Sequence, residues 1–299
     1  MRASHLFSFL FLVISTVSFA QSDWKKLELK GKVKSVEIID YGAVEKFGEV
    51  TKKNIVHGEQ YVFNENGLVI QQKNYGKLGQ PISQQRYLYD DFSNQIEQNI
   101  SDKDGKLQRR IVSVFNQFNH KTFETVYGSD GSLISRSVFS YEKNVQPIKI
   151  ITFDGRGNET ILQEYSFDRK KLTKMIKTTN PKSKTIEKAL KYDVHDNLIE
   201  TLVFDVEGKL ATKVAYVFDD KNNLIESYYY EKDDLLVSRK LSYNHLDFLV
   251  EVKIAYPKKE KSDTLTYTYD FDEQANWVKM TEHVNSIPIK LKERKIIYY

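Results

Sequence analysis

Residues 216–243, YVFDDKNNLIESYYYEKDDLLVSRKLSY, repeat one phrase within themselves. An aromatic pair runs into an acid-and-Asn turn, an aromatic cluster into a second acidic turn, and a further strand ends on another aromatic. Aligned on the second aromatic of each phrase, the whole chain shows the same cadence, with anchors at Phe63, Tyr89, Phe115, Tyr141, Phe167, Tyr192, Phe218, Tyr243 and Tyr269, 25 or 26 residues apart. The residue after the anchor is Asp or Asn in every case but Glu142. These side chains hydrogen-bond their own backbone and so open turns. Two positions before the anchor stand mostly aromatic or aliphatic residues, among them Tyr61, Tyr87, Phe139, Tyr165 and Tyr216. Strand alternation places them on the anchor's face.

Sixteen residues past the anchor lies a second turn position, held by Gly79, Gly105, Gly131, Gly157 and Gly208. Glycine supplies the positive φ that tight hairpin turns need. Each unit is therefore a β-hairpin's worth of chain, two strands and two turns, and no segment carries a sustained helical period. The pattern predicts an all-β fold: tandem β-hairpin repeats, period about 26 residues, forming an extended, coiled antiparallel sheet. Open twisted sheets seldom exceed ~10 strands without curling or splitting. The pattern leaves a spiral, a barrel-like shell and a long ribbon as alternatives. Intervening strands carry apolar residues on both parities, Leu198, Leu202 and Phe204 beside Ile199 and Val203, which calls for bulges or a sheet covered on both sides.

The expected organisation is a signal peptide over 1–20, an N-terminal capping strand region over 21–58, and nine hairpin repeats with a terminal strand over 59–299. The leader reading rests on Arg2, the apolar run to Phe19 and a small-x-small site ending at Ala20. It places the mature chain in the periplasm or outside the cell. No later stretch has the ~18 apolar residues of a membrane helix.

The chain has no cysteine, which excludes disulfides, thiolate metal sites and a cysteine nucleophile. Forty-five Lys+Arg against 41 Asp+Glu, well mixed, lack the concentrated basic field of a nucleic-acid binder. No nucleophile elbow, phosphate loop or metalloprotease helix motif is present. The acidic pairs Asp219/Asp220, Asp233/Asp234 and Asp270/Asp272 stand where turns need Asp in any case. The expectation is a non-enzyme without cofactor or metal.

YLYDDFSNQIEQNISDKDGKLQRR, LKYDVHDNLIETLVFDVEGKLATK and YTYDFDEQANWVKM resemble the tyrosine-aspartate (YD, or RHS-type) repeats of exported bacterial proteins, in a form found among Bacteroidetes. The resemblance covers about residues 59–299. It implies spiralling β-sheet and, in large members, a shell around a toxin or an adhesive surface rod. The chain departs from that pattern where Gly-Arg-Leu after the Asp turn is mostly Asn plus an aliphatic.

Two surface features are candidate partner sites. The stretch DRKKLTKMIKTTNPKSKTIEKALK gathers Lys170, Lys171, Lys182 and Lys184 around Pro181, a patch for an anionic partner. Tyr228, Tyr229 and Tyr230 stand in tandem, so at least one ring points away from its neighbours' face, and with Trp277 they offer stacking surfaces for a sugar or a protein. The functional expectation is a structural or protein-interaction module of the cell envelope. The alternatives are a glycan-binding protein using exposed aromatics and, last, a hydrolase. The expected partner is an envelope protein or a polysaccharide.

Overall fold

A computed structural model describes residues 22–142, 146–181 and 185–299, so the proposed leader and Lys182 and Lys184 lie outside the described residues. After one helical turn, α1 (Asp23–Lys26), the described chain is β apart from two 3-10 turns, Lys77–Gly79 and Pro257–Lys259. The first ten strands are β1 (Val33–Lys46), β2 (Glu49–Phe63), β3 (Val69–Tyr75), β4 (Pro81–Tyr89), β5 (Gln95–Asp102), β6 (Leu107–Phe115), β7 (Lys121–Gly128), β8 (Leu133–Ser140), β9 (Lys149–Asp154) and β10 (Glu159–Asp168). The rest are β11 (Thr173–Thr179), β12 (Ile186–Tyr192), β13 (Leu198–Phe204), β14 (Leu210–Phe218), β15 (Leu224–Glu231), β16 (Asp234–Tyr243), β17 (Leu249–Tyr256), β18 (Lys261–Phe271), β19 (Trp277–Val284) and β20 (Ile287–Tyr298).

Every strand pairs antiparallel with the next in sequence, and β20 pairs with β1 through Val36↔Ile296, Glu37↔Lys295 and Asp40↔Lys292. The sheet is a closed up-and-down barrel of 20 strands. This corrects the extended, coiled sheet expected from the repeats, and with it the open spiral implied by the likeness to YD/RHS repeats. The hairpins and their antiparallel order are as expected. What differs is that the first and last strands find each other, which satisfies the two rows of backbone groups an open sheet leaves unpaired.

The turns show why each hairpin forms. Asn64, Asp90, Asn116, Asp193, Asp219 and Asn244 each accept, on the side-chain oxygen, backbone N–H groups two and four residues on. The opposite rim uses the same device at Asp102, Asp154 and Asp205, followed by Gly105, Gly157 and Gly208 at positive φ. In the last repeat the device sits at Asp272, because β18 runs on to Phe271. The turn expected at Asp270 is displaced by two residues.

A bulge marks the strand entry beside most anchors, at Val62/Phe63, Leu88/Tyr89, Val114/Phe115, Lys191/Tyr192 and Val217/Phe218. The extra residue flips the parity of one strand end. Leu198 therefore faces Tyr192 while Leu202 faces Ala189 on the other side, which accounts for apolar residues on both parities. A bulge also frees a carbonyl from the ladder, and anchor tyrosines take it. Tyr89 donates to the carbonyl of Val69 at 2.8 Å, Tyr141 to Lys121 at 2.9 Å, Tyr243 to Leu224 at 2.8 Å and Tyr269 to Leu249 at 2.7 Å.

Fourteen apolar side chains are buried among the described residues, few for a chain this size, because most of the sheet is wetted on both faces. Barrels of 16–18 strands already enclose an aqueous channel, and this one has more. Its principal core lies at the closure, where Val33 and Val36 of β1, Phe63 and Val69 pack with Leu29 from the segment ahead of β1.

Candidate functional site

The anchor face is the more buried side of the sheet, with Phe63, Leu198 and Val252 buried on it and burial raising the pKa of Tyr61, Tyr89 and Tyr267, and on that ground it is assigned to the interior of the barrel. The segment 22–32 lies on it: Trp24 packs against the closure core, its ring 6.2 Å from that of Phe63, and its indole N–H donates to the carbonyl of Val33 at 2.8 Å. The same segment reaches the turn before β19, where Asn276, fully buried, accepts from Lys30 N–H at 2.7 Å and donates to its carbonyl at 2.9 Å. Burial also raises the pKa of hydroxyls on this face, at Tyr61, Tyr89, Tyr165 and Tyr216, and of Tyr267 to about 12. These phenols stay neutral donors at every physiological pH. They form two tiers near one rim, the anchors and the residues two positions earlier.

The outer face is different in kind. The positions preceding the anchors, such as Leu88, Lys191 and Val217, point outward, and opposite them stand Glu97, Glu200 and Glu226. These carboxylates are laced to cations across the strands: Glu97 with Arg110 at 2.7 Å, Glu226 with Lys240 at 3.3 Å, and Glu200 with Lys191. Hydrogen bonds from Arg110 hold the Glu97 carboxyl below the usual range. A cation in the lipid-facing middle of a membrane barrel costs about 2–4 kcal/mol. Of the paired cations, Arg110 and Lys240 stand within their strands and Lys191 one residue from the end of β12. No described helix is long and apolar enough to cross a membrane.

The predicted site residues scatter. Tyr228 and Tyr230 are on the outer face, Tyr228 bonded to Glu226 and Tyr230 under Lys213 Nζ at 4.4 Å, whereas Tyr229 points inward between Val214 and Val237. Trp277 is 6% exposed, with the Arg294 guanidinium stacked on it at 3.6 Å. It is a wall residue of the closed end, not an exposed platform. Lys170 and Lys171 are exposed in the turn that Asp168 opens. The remaining cations of that stretch divide between the faces: Lys174 points inward over the Tyr165 ring at 4.8 Å, where burial lowers its pKa, and Lys191 points outward. The structure thus does not gather Lys174 and Lys191 into one patch.

Sequence reasoning missed an interior polar wall on β2 to β5. Tyr61 donates to Glu59 at 2.8 Å, and Gln72 Nε2 approaches the Tyr61 hydroxyl at 3.3 Å. Tyr87 donates to Gln85 at 2.8 Å, with Gln72 Oε1 3.2 Å away, and Gln98 Nε2 donates to Gln85 at 2.7 Å. The signal was present: an amide or acid four residues before the anchor, beneath a tyrosine two residues before it. Tyr165 donates to Gln163 at 3.2 Å in the same way. Among the described residues no three His, Cys, Asp or Glu stand together as metal ligands.

No family model matches the chain, and no curated protein is similar to it in sequence. Among solved structures it is similar to a porin-like protein from Bacteroides uniformis, with 9% identity over 90% of this chain and 98% of that one and a TM-score of 0.38. A porin-like protein from Bacteroides vulgatus gives 10% identity over 89% and 98%, TM-score 0.32. The Tc holotoxin pore of Photorhabdus luminescens gives 8% identity over 82% of this chain and 22% of that one, TM-score 0.23. Likenesses this distant carry no argument about what this barrel does.

Proposed function

We propose that the protein is an exported, water-soluble β-barrel of the cell envelope that acts without catalysis, as a shell whose interior and rims bind a partner. One observation carries the reading: the outer wall is laced with cross-strand ion pairs, Glu97–Arg110 and Glu226–Lys240 among them, while the aromatic tiers point inward. A lipid-embedded barrel has the opposite arrangement, an apolar band outside. The exported location rests on the leader-like residues 1–20, and the absence of catalysis on the lack of a recognisable motif in the sequence.

The test has two arms on protein lacking residues 1–20. In a detergent phase-separation assay it stays in the aqueous phase, and recovery in the detergent phase overturns the soluble shell. On envelope fractions of the source cells it is retained, and failure of retention overturns the binding role. Retention destroyed by prior proteolysis of the fractions identifies a protein partner; retention that survives identifies a glycan or lipid.

A further inference from the structure

We infer that the interior wall of β2 to β5 is a binding site for a neutral oligosaccharide, an inference that rests on the soluble-shell reading above. Sugars are recognised by planar side chains that give and accept hydrogen bonds in fixed pairs and by aromatic faces that cover their C–H surfaces. This wall supplies both. Gln72, Gln85 and Gln98 form a ladder of amides across three adjacent strands, each half-buried and so still open to the interior. Tyr61 and Tyr87 stand within it, their hydroxyls tethered to Glu59 and Gln85, which holds the rings in place before any ligand arrives.

Charge decides against an acidic ligand. Glu59 is the carboxylate of this ladder; it accepts from Tyr61 and has His57 Nε2 at 3.3 Å. Of the cations beside the ladder on this face, Lys292 is paired with Asp40 at 3.3 Å and Arg109 of β6 stands opposite Ile100, outside the ladder. An anion would meet a carboxylate and phenols that burial keeps neutral. Topology decides against an extended peptide. Strand addition needs a free sheet edge, and the β1–β20 pairing leaves none. An acyl chain would desolvate the amides without pairing them, at a cost for each.

Calorimetric titration of the leaderless protein with a panel of neutral and uronic-acid hexasaccharides tests the site. Neutral hexasaccharides bind and uronic ones do not. Gln85→Met, which keeps the shape and removes the amide, weakens that binding about tenfold, the loss of one to two hydrogen bonds, and lowers the thermal midpoint only modestly, since Tyr87 and Gln98 lose their acceptor. Gln98→Ala does the same should Gln85→Met fold poorly. Tyr228→Ala on the outer face leaves binding unchanged. The inference is overturned if no neutral glycan binds, if only acidic ones do, or if Tyr228→Ala abolishes binding while Gln85→Met does not. Protease-sensitive retention on envelope fractions without glycan binding sinks this site and leaves the soluble binding shell standing.

Discussion

Phe47 and Gly48 close the β1–β2 hairpin as a two-residue turn with φ of 53° and 82°. Two positive values are the geometry of the turn that favours Asn-Gly, and a bulky side chain in the left-handed region is held there at a cost of about 1 kcal/mol or more. Phe47 is fully exposed, so no packing offsets that strain. Phe47→Asn should therefore stabilise the barrel by about 0.5–1 kcal/mol, read as a higher urea midpoint with unchanged slope; a lower midpoint would show that the ring packs in solution. Gly67 is the contrary case. Its φ is +78° and an added Cβ would stand 2.6 Å from the Trp24 ring, so Gly67→Ala should destabilise by more than about 1 kcal/mol, the loss appearing in the same titration. Residue-level turn chemistry was legible from sequence wherever Asp or Asn opens a turn, since the side chain and its backbone partners are neighbours in the chain.

At the scale of elements, the period also revealed the two-strand unit and the shared face of anchor and second aromatic. The bulges were less visible. Each is a register choice between two strands, and the only trace in the sequence is the mixed parity of stretches such as Leu198 to Phe204. The displaced turn at Asp272 was hidden for a related reason: Tyr269 keeps the anchor's bond to a carbonyl, to Leu249, while β18 continues two residues beyond it. The closure can be tested directly. Glu37 and Lys295 are Cα partners on the seam, and paired strand positions lie about 4.5–5.5 Å apart, within disulfide range. In this cysteine-free chain, the double variant Glu37→Cys, Lys295→Cys should oxidise to an intramolecular disulfide in native buffer and show slower mobility on reduction. Failure to form the bond without denaturant would return the molecule to an open coil.

For the whole molecule, stability should be bounded by two sets of groups. Asp193, through its bond from Asn197, and Asp219, through the backbone N–H of Asn223, have pKa values held below the ordinary 3.8. Their contribution is present above the unfolded value and is lost as pH falls through the folded one. Tyr267 is pushed by burial from 10.0 up to about 12. A raised phenol contributes stability below the unfolded value, and that contribution disappears as pH climbs from 10.0 toward 12. The thermal midpoint should thus hold level through the neutral range and fall at both ends, below about 4 and above about 10. A midpoint still level at pH 11 would mean that the interior phenols are hydrated like those of an unfolded chain.

The sequence by itself determined the unit: strand, side-chain-closed turn, strand, with aromatics stacked on one face every 25 or 26 residues. Those features follow from interactions among residues close in the chain, such as Asn244 with Leu246 and Phe248. Only the tertiary structure decided that the sheet closes, which face is inside, and that Gln72, Gln85 and Gln98 from three strands share a wall. Closure joins Val36 to Ile296, and its geometry is the accumulated twist and bulging of 19 intervening pairings, to which a local repeat is indifferent. Inside and outside are likewise properties of curvature, and the same alternation of Tyr and Glu reads identically on a sheet rolled either way.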